Sequence, residues 1–391
     1  MKNYFNLLLF IISTNIGLSQ NLDSLSITRA NDTILSKYLN EKRSIEIQLP
    51  RSYNTESDKK YPLILVLDGE YMFNIVSGSV DYLSYWGDIP ENLVVGINQR
   101  TTRFKDSSVF DNLTYTPITS TASFYDFIVN ELIPYISKNY RISDFKMIVG
   151  QERTANFANF FLLKPNPIIR GVISISPKLS DNMNDYLYDN LSKTNSKIIY
   201  TISTSKKDFE TIYKNTSELA TKLDSINNKN IRFKSIIFDD ENHYILPSVS
   251  VPNSIRSTFS LFSDIDKVEY DSIISRLDSS PIEYLKNKYE QIKVFYDIDK
   301  SISINDFMAV EEYIENNENF DLYDDLSKLA FKEYPETVLP SYYKGRFHEE
   351  KGNLEKAMHL YRSAYNMNEV EGLTKDYLLE LAERLQEDLN F

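Results

Sequence analysis

The sequence predicts a parallel α/β sheet followed by a smaller all-helical domain, and three observations carry that expectation. Short apolar runs bounded by turn residues recur as far as Phe262, with helical stretches between them. Several of these runs, such as Leu63, Ile64, Leu65, Val66 and Leu67, are almost continuously apolar, as strands covered on both faces must be. Beyond Phe262 the strand pattern stops and only helical periodicity remains.

In order, strands are expected at 44–50, 61–69, 93–97, 145–150, 171–177, 197–204 and 231–240. Among the helical stretches, 123–139 places Phe124, Phe127, Ile128, Leu132 and Ile136 on one face. Strand alternating with helix implies parallel pairing through right-handed crossovers. The first strand, set off by the turn 53–60, is free to pair antiparallel at the sheet edge. Helices are then expected at 271–276, 281–289, 304–316, 322–333, 338–351, 354–366 and 374–389. Gly345, Gly352, Ala357, Tyr361 and Ala364 fall at the small and aromatic positions of a tetratricopeptide-like helix pair over 341–367, in a single copy without the usual closing proline. The expected division is a leader over 1–19, an α/β domain over 20–262, a polar linker over 263–280 and a helical domain over 281–391.

The leader reading rests on Lys2, the run from Leu7 to Ile12 and the small residues ending at Ser19, a pattern of cleaved export signals. Export to a periplasm or to the outside of the cell is therefore expected. The apolar run is too short to span a bilayer, so no membrane insertion is expected. The chain has no cysteine, which removes disulfides, a thiol nucleophile and a lipid-modified cysteine anchor together. A net charge of −13 without a basic patch argues against nucleic acid or an anionic membrane as partner. Three scattered histidines (His243, His348, His359) form no metal-ligand spacing, and glycine-rich phosphate or dinucleotide loops are absent, so no metal and no cofactor is expected. The 28 tyrosines suit amphipathic surfaces facing sugars or proteins, although an AT-rich genome biases composition the same way.

The chemistry is expected where the strand 146–150 turns sharply through Gln151, Glu152 and Arg153 into a helix. Such a turn lifts one side chain above the carboxyl edge of a parallel sheet. Downstream, one strand ends in a loop holding Asp208 and Glu210, and the next ends at His243. Turn, acid and histidine follow the chain order of a Ser-acid-His hydrolase triad, with Asp208 preferred over Glu210 as the acid.

At these residues the chain resembles the esterase family of bacterial α/β-hydrolases, in the branch of siderophore esterases and of secreted esterases with C-terminal helical repeats. The landmarks are Tyr61–Pro62 leading to Asp68–Gly69–Glu70–Tyr71, the strand after Pro90, and Glu131–Leu132–Ile133–Pro134 with Asn139–Tyr140–Arg141. Ser174–Ile175–Ser176–Pro177 and Glu241–Asn242–His243 continue the series, so the resemblance spans about 30–262. It implies the α/β-hydrolase fold, with Gly69, Glu70 and Tyr71 beside an oxyanion hole and Gln151 and Arg153 lining the pocket. Where the family carries its nucleophilic serine this chain has Glu152, and Thr154 and Ala155 replace the glycines that follow, which implies a relaxed turn.

Loss of a triad serine costs roughly 10⁶ in turnover. The resemblance thus implies a secreted pseudo-esterase that binds an ester-like or glycan ligand, with Glu152 free to form a salt bridge to His243. Two alternatives stay open. One is an active hydrolase using Glu152 itself, or a recruited hydroxyl such as Ser176. The other is an envelope interaction protein that grips a protein partner through its helical repeats. Arg153 either binds an anion, pairs with Glu152 or faces solvent.

Overall fold

The computed structural model describes residues 27–389, and the expected leader lies outside them. The first unit is built on one eight-stranded sheet in the order β1-β2-β4-β3-β5-β6-β7-β8. Its strands are β1 (Thr28–Ser36), β2 (Glu41–Leu49), β3 (Tyr61–Val66), β4 (Leu93–Ile97), β5 (Ile142–Gln151), β6 (Gly171–Ile175), β7 (Ile198–Lys207) and β8 (Ile231–Asn242). β3 to β8 run parallel, while β1 pairs antiparallel with β2 and β2 with β4.

The strand expected at the edge is therefore one place in from it, because β1 covers it. β1 reads Thr-Arg-Ala-Asn-Asp-Thr-Ile-Leu-Ser and is exposed along most of its length. Nothing in its apolar pattern marks a strand, and its pairing to β2 from Thr28–Leu49 through to Ser36–Glu41 is what holds it.

The crossovers carry α1 (Gly69–Tyr85), α2 (Arg103–Ser107), α3 (Thr119–Phe127), α4 (Ile133–Asn139), α5 (Arg153–Asn159), α6 (Met183–Lys193), α7 (Glu210–Asp224) and α8 (Leu246–Thr258). α3 and α4 are one periodic stretch interrupted by a π-helical turn at Ile128–Leu132. Leu63, Leu65, Leu67 and Ile148 of the sheet pack with Phe124, Phe127, Phe157 and Phe161 in a fully buried core. Because β3 to β8 are parallel, the residues following their carboxyl ends gather on one edge.

The second unit comprises 263–293 and 298–391, residues 294–297 grouping with the first. It contains α9 (Lys267–Ser272), most of α10 (Pro281–Tyr296), α11 (Ile304–Asn316), α12 (Leu322–Glu333), α13 (Val338–Glu350), α14 (Leu354–Ser363) and α15 (Lys375–Leu389). The stretch 263–280, read from its polarity as a linker, is structured instead. Tyr270 and Ile274 are buried with Ala309, and the Asp266 carboxylate accepts from the Glu269 amide at 2.8 Å to cap α9. Helices α12 to α15 each pack on the next. A β-carbon on Gly345 would stand 2.1 Å from the Tyr361 ring, so α13 and α14 meet closely at that glycine. No helix among the described residues is long and apolar enough to cross a membrane.

Candidate functional site

The turn between β5 and α5 is sharp, and its strain falls on Glu152, with φ 54° and ψ −106°. L-residues rarely adopt this region, and holding one there costs about 1–3 kcal/mol. A β-carbon on Gly150 would lie 2.6 Å from the Thr154 carbonyl, so only glycine lets the helix start this close to the strand. The Glu152 amide donates to the Ile175 carbonyl at 2.9 Å, and the Glu152 carbonyl accepts from the amides of Asn156 (3.2 Å) and Lys178 (3.0 Å).

The expectation that Thr154 and Ala155 relax this turn does not hold. The Thr154 hydroxyl accepts from the Gln151 amide at 3.0 Å and donates to Asp68 Oδ2 at 2.7 Å, tying the turn to the end of β3.

Arg103, at the start of α2, organises the charge. Its Nε donates to Asp68 Oδ1 at 2.8 Å, Nη1 to Glu152 Oε2 at 3.0 Å and Nη2 to the Gln151 carbonyl at 3.0 Å. Asp68 is wholly buried and itself adopts a left-handed conformation, with its amide donating to Gln99 Oε1 at 3.0 Å. Burial pushes the Asp68 carboxyl up while Arg103 draws it back. For Arg103 burial disfavours the charge, but the Asp68 carboxylate more than compensates and the guanidinium stays protonated. Arg153 also approaches Glu152, at 3.7 Å, and donates to Ser108 Oγ at 3.3 Å.

His243 is paired elsewhere. Its Nδ1 lies 2.7 Å from Asp208 Oδ1, with the two residues 6% and 9% exposed. A proton on Nδ1 shared with that carboxylate leaves Nε2 as the basic nitrogen. Asp208 Oδ2 accepts from Ser176 Oγ at 2.5 Å and Thr204 Oγ1 at 3.0 Å, and Oδ1 from the Phe209 amide at 2.8 Å. Burial alone raises a carboxyl, but these donors and His243 outweigh it and hold Asp208 below the usual carboxylate range.

The structure therefore brings Asp208 to His243 and leaves Glu210 exposed as the first residue of α7. The expected Glu152–His243 salt bridge does not form: among the described residues Glu152 pairs with arginines and His243 with Asp208. Ser176 donates to the acid, and no serine or threonine hydroxyl among the described residues bonds His243, which removes Ser176 as a substitute nucleophile.

Of the expected oxyanion donors, Tyr71 is consumed, since its amide donates to the Asp68 carbonyl at 3.1 Å. The Glu70 carboxylate accepts the Gln99 amide at 2.9 Å, and the backbone of Gly69 comes so close to Ile97 that a β-carbon would stand 2.9 Å from its nitrogen. The Gln151 side chain is buried and reaches the His243 carbonyl at 3.4 Å. Phe209 lies against the His243 ring with centroids 4.5 Å apart, and Tyr244 meets both edge-on.

Sequence reading missed Arg103. Its one signal is position, a cation just past the carboxyl end of the parallel strand β4, where α/β sheets place ligand contacts. No group of three or more potential ligands among the described residues is placed to hold a metal ion.

Residues 36–210 match the family described as "Putative esterase". Among solved structures, an uncharacterised protein from Capnocytophaga ochracea aligns at 24% identity and a TM-score of 0.79, covering 92% of this chain and all of that one. An IroE-like serine hydrolase from Shewanella oneidensis aligns at 20% identity and 0.57, over 77% of this chain and 98% of that one. The BES protein of Bacillus cereus aligns at 19% and 0.52, over 59% and 96%. Among curated proteins no sequence match is found. At these identities the structural likeness speaks for the fold.

Proposed function

Residues 36–210 belong to the esterase family, and from that premise we propose that this chain is a pseudo-esterase, a hydrolase fold that binds a ligand without serine-type ester hydrolysis. The observation that carries the reading is the strained elbow at Glu152, the position that the resemblance assigns to the nucleophilic serine, with its carboxylate tied to Arg103 at 3.0 Å. A carboxylate neutralised by a fixed guanidinium is a weak nucleophile, and among the described residues no hydroxyl bonds His243 for it to deprotonate. The Asp208–His243 pair keeps the geometry of a general base without the group it would activate.

Exposed Tyr244 and Phe209 around His243 supply apolar faces for a small ring-bearing ligand, of ester-like or glycan type. The apolar run after Lys2 supports action outside the cytoplasm.

The test is turnover of short acyl-aryl esters by the mature chain, by Glu152→Ser and by Glu152→Ser/His243→Ala. The expected pattern is no turnover in the wild type, a gain in Glu152→Ser and its loss in the double variant. Robust wild-type turnover that disappears in Glu152→Ala would overturn the proposal and make Glu152 the nucleophile.

A further inference from the structure

In the helical unit, the turn from α13 into α14 is closed by the Asn353 amide, which donates to the His348 carbonyl at 2.8 Å. It opens onto a cleft of about 640 Å³ whose walls include His348, Asn353, Glu355, Lys356, His359 and Leu389. Small-molecule sites have volumes of this order. Two independent features of the cleft point to a ligand. The first is His348, 6% exposed, whose two ring nitrogens are buried and have no hydrogen-bond partner among the described residues. An imidazole carries a donor and an acceptor, and folded chains rarely bury both unpaired. The second is the start of α14. Asn353 occupies the N-cap position without a side-chain bond, and its carbonyl accepts from the amides of Lys356 and Ala357, each at 3.1 Å. The amides of Leu354 and Glu355 are left without an acceptor among the described residues. Unpaired amides in a first helical turn, with the helix dipole behind them, attract negative charge.

Side-chain charge favours the same sign of ligand. Lys356 is exposed and enters no ion pair among the described residues, and His359 stands three residues on, over the same face of α14. Burial, then Lys356 and Lys344, hold the His348 imidazole below its usual range, with Asp324 pulling the other way. Lys344 is itself paired with Asp324, and Glu355 is the one acid among the lining residues.

We propose that this cleft holds a small molecule by an oxyanion group, phosphate or carboxylate, seated on the Leu354 and Glu355 amides with Lys356 as counter-charge and His348 as donor. An anion in that place gives the orphaned ring a partner and offsets the lysines, so its binding and the protonation of His348 favour one another. The proposal stands whether or not the elbow at Glu152 binds a ligand.

Nuclear magnetic resonance of the imidazoles in the full mature chain tests this. The chain has three histidines, so His243→Ala and His359→Gln identify the His348 signal by elimination. Inorganic phosphate and acetate are titrated separately at pH 7, against sodium chloride of equal ionic strength. The expected result is a saturable shift of the His348 signal with a Kd of about 1–10 mM, and a His348 pKa raised by the bound anion. The probe that binds tighter identifies the oxyanion. Lys356→Gln should weaken binding about fivefold or more, and Glu355→Gln should strengthen it about threefold, because each removes one charge beside the anion. Both side chains are exposed, so the fold survives either change. No saturable shift up to about 50 mM of either anion, a shift that chloride reproduces, or binding indifferent to both substitutions overturns the proposal.

Discussion

Arg103 Nη1 stands 3.0 Å from Glu152 Oε2, while Nε of the same guanidinium stands 2.8 Å from Asp68 Oδ1. One cation thus serves a wholly buried carboxylate at the end of β3 and a partly exposed one at the β5 turn. The planar fork is what permits it, since three N–H groups point at three acceptors held by two separate strands.

Removing Arg103 should therefore destabilise the first unit more than a surface ion pair would. Arg103→Met leaves the buried Asp68 carboxylate without its counter-charge, an effect of about 3 kcal/mol. Arg103→Lys should recover less than half of that, because a single ammonium cannot bridge both acids and the Gln151 carbonyl. Urea unfolding of the three proteins measures it. A loss below about 0.5 kcal/mol for Arg103→Met would mean that the pair is no stronger than an exposed one.

Backbone strain at Glu152 separates from its ion pair by comparing two truncations. Glu152→Ala and Glu152→Gly both delete the carboxylate, but only glycine adopts φ 54°, ψ −106° without steric cost. The glycine variant should be the more stable by about 1 kcal/mol. Equal stabilities would show that the turn relaxes once the carboxylate is gone.

The parts of this site legible in the sequence were those that repeat a local pattern. The strand-turn-helix at Glu152 and the strand ends at Asp208 and His243 announce themselves through apolar runs that stop at polar residues. Gly150, hidden beneath the turn, belongs to the same signature. What stayed illegible depends on contacts between distant segments. Arg103 lies 35 residues from Asp68 and 49 from Glu152, and no spacing rule links them. β1 was invisible for a related reason, since pairing to β2 rather than burial of its side chains makes it a strand. Thr154 was read as a loss of glycine when its hydroxyl is what ties the turn to Asp68.

Asp208 gives the first unit an acid-sensitive contribution. Its carboxyl is held below the usual range in the folded chain, against the pull of burial, by His243, Ser176 and the Phe209 amide. A depressed folded value means that the stabilisation is complete above the unfolded value near pH 4 and is lost as pH falls through the folded value. Asp208→Asn should cost about 2 kcal/mol at pH 7 by weakening hydrogen bonds to a charged acceptor. The cost should shrink as the pH is lowered below about 4, where the wild type loses the same contribution. Denaturation midpoints from pH 7 down to pH 3 follow both proteins, and parallel curves would show that Asp208 titrates alike in the folded and unfolded chains.

In the helical unit, the close approach of α13 and α14 makes a prediction whose sign can be reversed. Gly345 lies inside α13, where alanine would ordinarily stabilise the helix by about 1 kcal/mol. Here the added β-carbon would meet ring carbons of Tyr361 at 2.1 and 2.6 Å, and that ring is fully buried with its hydroxyl donating to Glu349 at 2.8 Å. The ring has nowhere to move, so Gly345→Ala should instead destabilise by about 2–3 kcal/mol, the range of overpacked cores. Tyr361→Val removes the obstructing ring and leaves space beside position 345. In that background Gly345→Ala should become neutral or stabilising, recovering the helix-propensity gain that the clash concealed. Thermal melting followed by circular dichroism, which reports helix directly, compares the four proteins. If Gly345→Ala destabilises equally with and without the Tyr361 ring, its cost arises within α13 itself and not from the contact with α14.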